Sequence, residues 1–306
     1  MGKTHVSVVI PTFQRANLLG HVLNGLTNQS YGEFEVIIIL KPSGDGTEQV
    51  INNFNKSMKI RLIPQEKGNF TDALNLGLEN ASGEIVAFLD DDAIPSPNWL
   101  RSLIETYGIS SVGGVAGDVI TAFITEEGLN RITIASSQIV PEAKPFMQRI
   151  GRQLWDSPLA GLEDYLVYVS KAGVVSYNFD VAMRASYQTT KSLLGMGANM
   201  SVLTKALDGF KFPDSWALGL SNEQFLGWHI WKKGYNLLFN PHAKVYHLVH
   251  GQSMSREVSD NRRRILVKVE ERMLFYRLYG LNLGFRFCTG LRGSSFPYCL
   301  KRRKSV

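Results

Sequence analysis

Cysteine is nearly absent from this chain. Its 306 residues hold two, Cys288 and Cys299, both near the C-terminus. That excludes a disulfide framework and a cysteine zinc site, and it suits a reducing compartment. Long apolar runs are missing as well. No stretch reaches the roughly eighteen residues of a membrane-spanning helix. Val6 to Ile10 is too short for the apolar core of a signal peptide, and Pro11 and Arg15 follow at once. Internal repeats and low-complexity segments are also lacking. What remains is a globular composition, 44% hydrophobic and 20% charged, in a chain long enough to bury most of its unfolded surface.

Charge is unevenly placed. Residues 261 to 306 carry twelve Lys and Arg against Glu270 and Glu271, a net +10, which leaves −4 on the first 260 residues. A basic segment of this kind suits an anionic partner such as lipid headgroups, or it simply keeps the chain soluble. Ile265, Val269, Met273 and Tyr276 form one helical stripe over residues 261 to 279. The stripe could pack on the body while the last segment lies at an anionic membrane. Specific nucleic-acid binding is not expected, because the aromatic platform of single-strand binders is missing.

The first hundred residues alternate buried strands with amphipathic helices. Strands are expected at Val6–Ile10, Glu35–Leu40, Lys59–Ile63 and Ile85–Leu89. Helices are expected at Ala16–Asn28, Thr47–Asn55 and Phe70–Ala81, with another starting after Ser96 as N-cap and Pro97. This β-α-β order implies a parallel sheet covered by helices. A further strand is expected over Val112–Ile120. Residues 121 to 190 show no clean period. Beyond them come a helix from about Ser221 and short strands at Leu237–Phe239 and Val245–His247.

Ligands bind such sheets at the carboxyl ends of the strands. One of these ends carries Asp90-Asp91-Asp92. Three consecutive carboxylates repel one another unless solvated or neutralised. In an extended segment Asp90 and Asp92 point one way and Asp91 the other. That suits a hard, oxygen-liganded ion such as Mg²⁺ or Mn²⁺. A helix N-terminus explains one acid there, but not three.

Three stretches carry a family resemblance: "VSVVIPTFQRANLLGHVLNGLTNQSY", "SGDGT" and "ALNLGLENASGEIVAFLDDDAIPSPNWL". Together with the later "GANMSVLTKAL" and "NEQFLGWHIWKKGYNLLFNPHAKVYH", the chain resembles the family 2 glycosyltransferases of GT-A fold. The resemblance covers roughly residues 4 to 117 and 195 to 280. It implies an α/β, Rossmann-like, mostly parallel sheet flanked by helices, with a basic C-terminal helix and tail. The implied organisation is a GT-A domain over 1–260, with a nucleotide-sugar half (1–117) and an acceptor half (118–260), then the tail at 261–306.

The resemblance also implies roles. Asp92 would ligate a divalent cation, Mn or Mg, with His247 completing the site and His250 a weaker substitute. Donor-binding residues would be Pro11, Thr12, Lys41, Ser43, Asp90, Asp91 and Asn199. Glu223 would be the general base of an inverting transfer from a nucleotide-sugar donor to a saccharide or lipid-linked acceptor. Each has a bland counterpart. Ser221 and Gln224 read as a capping box with Glu223 in the first turn, and a lone histidine in a strand is commonly structural. Trp99, Trp228 and Trp231 are expected to pack in the core rather than stack on sugar or base.

The chain also departs from the family pattern. Leu40 and Lys41 stand where the family has a pair of Asp, the first of which often reads the base, and Asn222-Glu223 replaces a late Glu-Asp pair. A non-catalytic relative kept as a binding or scaffolding subunit is the competing expectation.

Overall fold

The computed structural model of the protein describes residues 4–125, 128–131, 157–171, 175–214 and 222–250, with isolated positions 269 and 273. The first half comprises β1 (Val6–Thr12), α1 (Ala16–Thr27), β2 (Phe34–Leu40), α2 (Thr47–Phe54), β3 (Ile60–Pro64), α3 (Phe70–Asn80), β4 (Ile85–Leu89), β5 (Ala93–Pro95) and α4 (Trp99–Thr106). There follow β6 (Val112–Thr125), β7 (Gly128–Arg131), β8 (Val167–Val169), β9 (Val175–Tyr177), α5 (Phe179–Ala185), β10 (Thr190–Lys191) and β11 (Asn199–Leu203). The last described elements are α6 (Thr204–Leu207), α7 (Asn222–Lys232) and β12 (Asn236–Leu248). The tail expected over 261–306 lies outside the described residues apart from positions 269 and 273.

One sheet organises the molecule, in the order β10-β12-β6-β11-β4-β1-β2-β3, with β5 on β12 and β7 on β6. β1 lies between β2 and β4, parallel to both, and β2 continues parallel to β3. All of β1 is buried, as a strand covered by helices on both faces requires. α3 lies close over it: a methyl at Gly77 would collide with the side chain of Val9. The second half is mixed. β11 inserts antiparallel between β4 and β6, and β12 runs parallel to β6. The boundary expected between residues 117 and 118 falls inside β6, so the two halves share one sheet.

Three local expectations change. The helix after Pro97 begins at Trp99, because Ser96 still pairs with β12 through its N–H to the Lys244 carbonyl at 2.9 Å. The two short late strands are one strand, β12, with an irregularity between Asn240 and Lys244. Asn240 holds it: Oδ1 accepts from the His242 N–H at 2.8 Å, and Nδ2 donates to Thr106 Oγ1 at 2.8 Å. Within the region that shows no period, β6 extends to Thr125 and hairpins with β7, and β8 pairs with β9. Trp99 and Trp228 are buried in the core, as expected.

At the amino ends of the strands sits a fully buried carboxylate, Glu35. It accepts from Ser7 Oγ at 2.8 Å and Ser82 Oγ at 2.6 Å, and Arg61 lies 3.5 Å away. Desolvation works against its charge, but the bonds from Ser82 and Ser7 and the nearby Arg61 outweigh that and hold its pKa near 2. This tie joins β1, β2, β3 and the turn into β4 at the end of the sheet opposite the candidate site.

Candidate active site

The site is built where β1, β4 and β12 end. After β1 the chain reverses at Gln14, whose φ of 58° is left-handed, a conformation costly for a residue with a Cβ. The reversal starts α1 at once. No side chain of α1's own caps it. Asp45, from the β2–α2 loop, accepts from the Ala16 N–H at 3.0 Å, placing a carboxylate at the helix N-terminus. Desolvation opposes this carboxylate, but bonds from Thr47, the Ala16 N–H and Ser43 hold its pKa near 2. The neighbouring Arg15 is thereby aimed across the strand ends. Its Nη1 lies 2.8 Å from Asp91 Oδ1 and 2.7 Å from Asp92 Oδ2. Burial works against the guanidinium, yet Asp91 and Asp92 raise its pKa above the ordinary value.

The second component arrives through β12. Its antiparallel pairing with β5 sets His247 opposite Ala93, and the Leu248 N–H donates to the Asp92 carbonyl at 2.9 Å. His247 therefore lands on the acidic turn. Its Nε2 lies 3.2 Å from Asp92 Oδ1 and 3.9 Å from Asp90 Oδ2. His250 follows and places Nε2 2.7 Å from Asp92 Oδ2. Desolvation, reinforced by the charges of Asp92 and Asp91, pushes Asp90 well above the usual carboxylate range, with Arg15 opposing. Asp91 rises to about 6 for the same first reason, again against Arg15. Burial lowers the pKa of His247 against the pull of Asp92.

These residues fit a divalent cation. Asp90, Asp92 and His247 each offer a ligand atom, all within 4.8 Å of one another. Asp92 is 3% exposed, and its Oδ1 is buried without a hydrogen-bond partner. An acceptor left bare in such a setting is costly unless a cation or water meets it.

Glu223 stands in the first turn of α7, half-buried. Its charge reaches both Asp90 and Tyr177. Burial, with Glu223 second, raises the Tyr177 hydroxyl to about 12. Gln224 Nε2 donates to Glu223 Oε1 at 3.0 Å and to the Gly195 carbonyl at 3.3 Å, tying the helix start to the 195–197 loop. Asn222 is 3% exposed, and its Nδ2 donates to Thr71 Oγ1 at 3.2 Å, anchoring α7 on the first turn of α3. Of the pair Asn222-Glu223, Asn222 is buried against α3, while Glu223 is half-buried and its charge is felt at Asp90.

Pro11 and Thr12 end β1 and are buried. Lys41 follows β2. Its Nζ donates to the Gly68 carbonyl at 3.1 Å and sits 5.4 Å from the centroid of the Phe13 ring, which is 44% exposed. Ser43 Oγ donates to Asp45 Oδ1 at 2.8 Å and shapes the loop.

One expectation changes. Asn199 does not lie at an open donor surface. It is fully buried at the start of β11, with its amide engaged by Trp99 Nε1, the Asp118 carbonyl and the Ala243 carbonyl, each at 2.8 Å. Asp91 is 5% exposed and paired with Arg15.

Residues 7–160 match the family described as glycosyl transferase family 2. The chain belongs to this family. The glycosyltransferase AglE of Haloferax volcanii is 34% identical over 119 residues, covering 37% of this chain and 39% of that protein. The GalNAc(5)-diNAcBac-PP-undecaprenol beta-1,3-glucosyltransferase of Campylobacter jejuni is 38% identical over 90 residues, covering 28% of this chain and 29% of that protein. The chain thus spans less than two fifths of either relative's length. Among solved structures, the mannosyltransferase PcManGT of Pyrobaculum calidifontis, in complex with GDP-Man and Mn²⁺, superposes with a TM-score of 0.57 at 17% identity, covering 90% of this chain and 65% of that one. S. aureus TarS with UDP-GlcNAc gives 0.55 at 14% identity, covering 92% and 76%. These likenesses show the GT-A glycosyltransferase fold.

In this family 2 member the structure brings Asp90, Asp92, His247 and Glu223 to one end of the sheet, with Pro11, Thr12, Lys41 and Ser43 along the same edge. Sequence reasoning did not single out Arg15, Phe13 or Tyr177, and it considered His250 only as a substitute ligand, whereas its Nε2 meets Asp92 Oδ2. Arg15 carried one signal, a cation directly after the first strand end. Tyr177 carried none, since it lies in the stretch without a period.

Proposed function

We propose that the chain is a nucleotide-sugar-dependent glycosyltransferase acting by a single displacement with inversion. The observation that carries this is the convergence of Asp90, Asp92 and His247, whose ligand atoms lie within 4.8 Å of one another, with Glu223 near enough for its charge to act on Asp90. Asp90, Asp92 and His247 would hold a divalent cation. When bound, it would neutralise the charge that grows on the departing nucleoside diphosphate.

The protein's own groups do the rest. The nucleoside lies along the ends of β1 and β2, where Phe13 offers a face for the base and Lys41 a donor beside it. Neighbouring strands are about 4.8 Å apart, so Lys41 stands about 10 Å along the sheet from the acidic turn, the reach of a nucleoside. Glu223 Oε2 takes the proton of the acceptor hydroxyl as that oxygen attacks the anomeric carbon, and the bond to the diphosphate breaks on the opposite face. Tyr177 stays protonated and can donate to the acceptor.

A saccharide or lipid-linked envelope acceptor is supported by the undecaprenol-linked glycan in the name of the C. jejuni relative. The net +10 over 261–306 adds support for peripheral contact with an anionic membrane. No helix among the described residues is long and apolar enough to cross one.

A thermal-shift screen of nucleoside diphosphates and nucleotide sugars, with and without Mn²⁺, tests the reading. A ligand at a hundred times its Kd adds about 2.7 kcal/mol of stability. Asp92→Asn should remove the Mn²⁺-dependent part. A stabilisation indifferent to Mn²⁺ and to this substitution would defeat the cation assignment.

A further inference from the structure

We infer that Arg15 and His250 are positioning residues that fix the orientation in which the Asp92 carboxylate is presented to the cation. The inference rests on reading Asp90, Asp92 and His247 as the ligands, and it adds two residues that touch none of the ligand atoms' open sides.

Oδ2 of Asp92 is held twice: by Arg15 Nη1 at 2.7 Å and by His250 Nε2 at 2.7 Å. Oδ1 has no hydrogen-bond partner, although His247 Nε2 stands 3.2 Å away. A cation at this point would take Oδ1 and the His247 ring nitrogen as neighbouring ligands. The two anchors come from different parts of the fold. Arg15 projects from the start of α1 and His250 from beyond the end of β12, so the carboxylate cannot rotate without breaking at least one bond. Ligating carboxylates are commonly fixed this way, and losing an outer partner costs 10- to 100-fold in metal affinity.

Charge gives the test its sign. Arg15 contributes one positive charge to three carboxylates. If it were only a counter-charge, its removal would make the site more anionic and tighten cation binding. A positioning residue predicts the reverse.

The experiment titrates Mn²⁺ into the full chain without donor and reads free Mn²⁺ by electron paramagnetic resonance, with circular dichroism as a folding control. Arg15→Gln should weaken Mn²⁺ by about 10- to 100-fold. His250→Ala should do the same, and His250→Gln, whose amide N–H can still reach Oδ2, should recover most of the loss. Equal or tighter binding in Arg15→Gln overturns the role of Arg15. If that variant does not fold, Arg15→Lys, which keeps the charge but not the reach of the guanidinium, takes its place, and unchanged affinity there has the same meaning. Unchanged affinity in His250→Ala, or a loss that Gln does not recover, overturns the positioning role of His250, the second result making it a ligand. A wild-type chain that binds no Mn²⁺ overturns the ligand reading itself and this inference with it.

Discussion

Trp99 and Asn199, one hundred positions apart in sequence, meet in the core. The indole Nε1–H donates to the amide Oδ1 at 2.8 Å. The same amide's N–H groups satisfy the carbonyls of Asp118 and Ala243. Gly117 leaves the room, since a methyl there would strike both the Ala243 carbonyl and the Asn199 side chain. One side chain thus joins α4, β6, β11 and the loop within β12, opposite Leu89 at the end of the strand that leads into the acids.

Asn199→Ala should therefore destabilise the protein without altering its chemistry. Three buried polar groups lose their partner, and each unsatisfied group costs about 1–3 kcal/mol. We expect a loss of about 3 kcal/mol or more in urea unfolding. Nucleotide affinity of the folded fraction should stay within about threefold of wild type. A selective loss of nucleotide affinity with normal stability would return Asn199 to the donor site.

Glu223→Gln should leave donor binding nearly intact and lower transfer at saturation by about 10²- to 10⁴-fold, the range for loss of a general base. Isothermal titration with the donor, beside turnover of the same preparation, separates the two effects. Weakened donor binding with an unchanged saturating rate would make Glu223 an ordinary first-turn acid of α7.

Glu35 sets the acid limit of the fold. Its folded pKa is near 2, against an ordinary value of 4.5. A depressed carboxylate stabilises the native state fully above the unfolded pKa, and that contribution fades as pH falls through the folded one. The loss should begin below about pH 5 and run to about pH 2, amounting to some 3 kcal/mol. Glu35→Gln should be less stable at pH 7, and its stability should vary less over that window. Parallel pH profiles for the two proteins would dismiss the assignment.

Lys41→Met removes the ammonium while keeping the stem beside Phe13. Because Lys41 stands two strands from the acidic turn, it is placed for the base rather than the diphosphate. The order of affinities among the four common nucleoside diphosphates should change, with at least one falling about tenfold, the value of a hydrogen bond to a charged group. A uniform drop across all four would place the ammonium on phosphate instead.

The amino-terminal half was legible because its signals are local. Continuous apolar runs such as Ile85–Leu89 define strands buried on both faces, and periodic leucines define α1 and α3. Three acids at a strand end advertise a ligand site without help from the rest of the chain. Even the alternation of Asp90 and Asp92 against Asp91 follows from strand geometry. The second half carries weaker signals. β8, β9 and β10 are three residues or fewer, too short to establish a period.

Pairing and reach belong to the tertiary structure alone. His247 joins the acids because β12 pairs with β5 in one register, and a slip of one residue would turn its side chain to the other face. Asn199 looks like a loop residue until β11 is inserted between β4 and β6, which buries its amide. Arg15 meets Asp91 and Asp92 across 76 and 77 positions of sequence, through a left-handed turn at Gln14 that no composition foretells. Composition and periodicity determined which elements form and where the charge lies. Which charged atoms face one another was decided only when the sheet closed, because separations of 2.7 to 3.2 Å depend on strand register and helix docking, and these are properties of the whole packed chain.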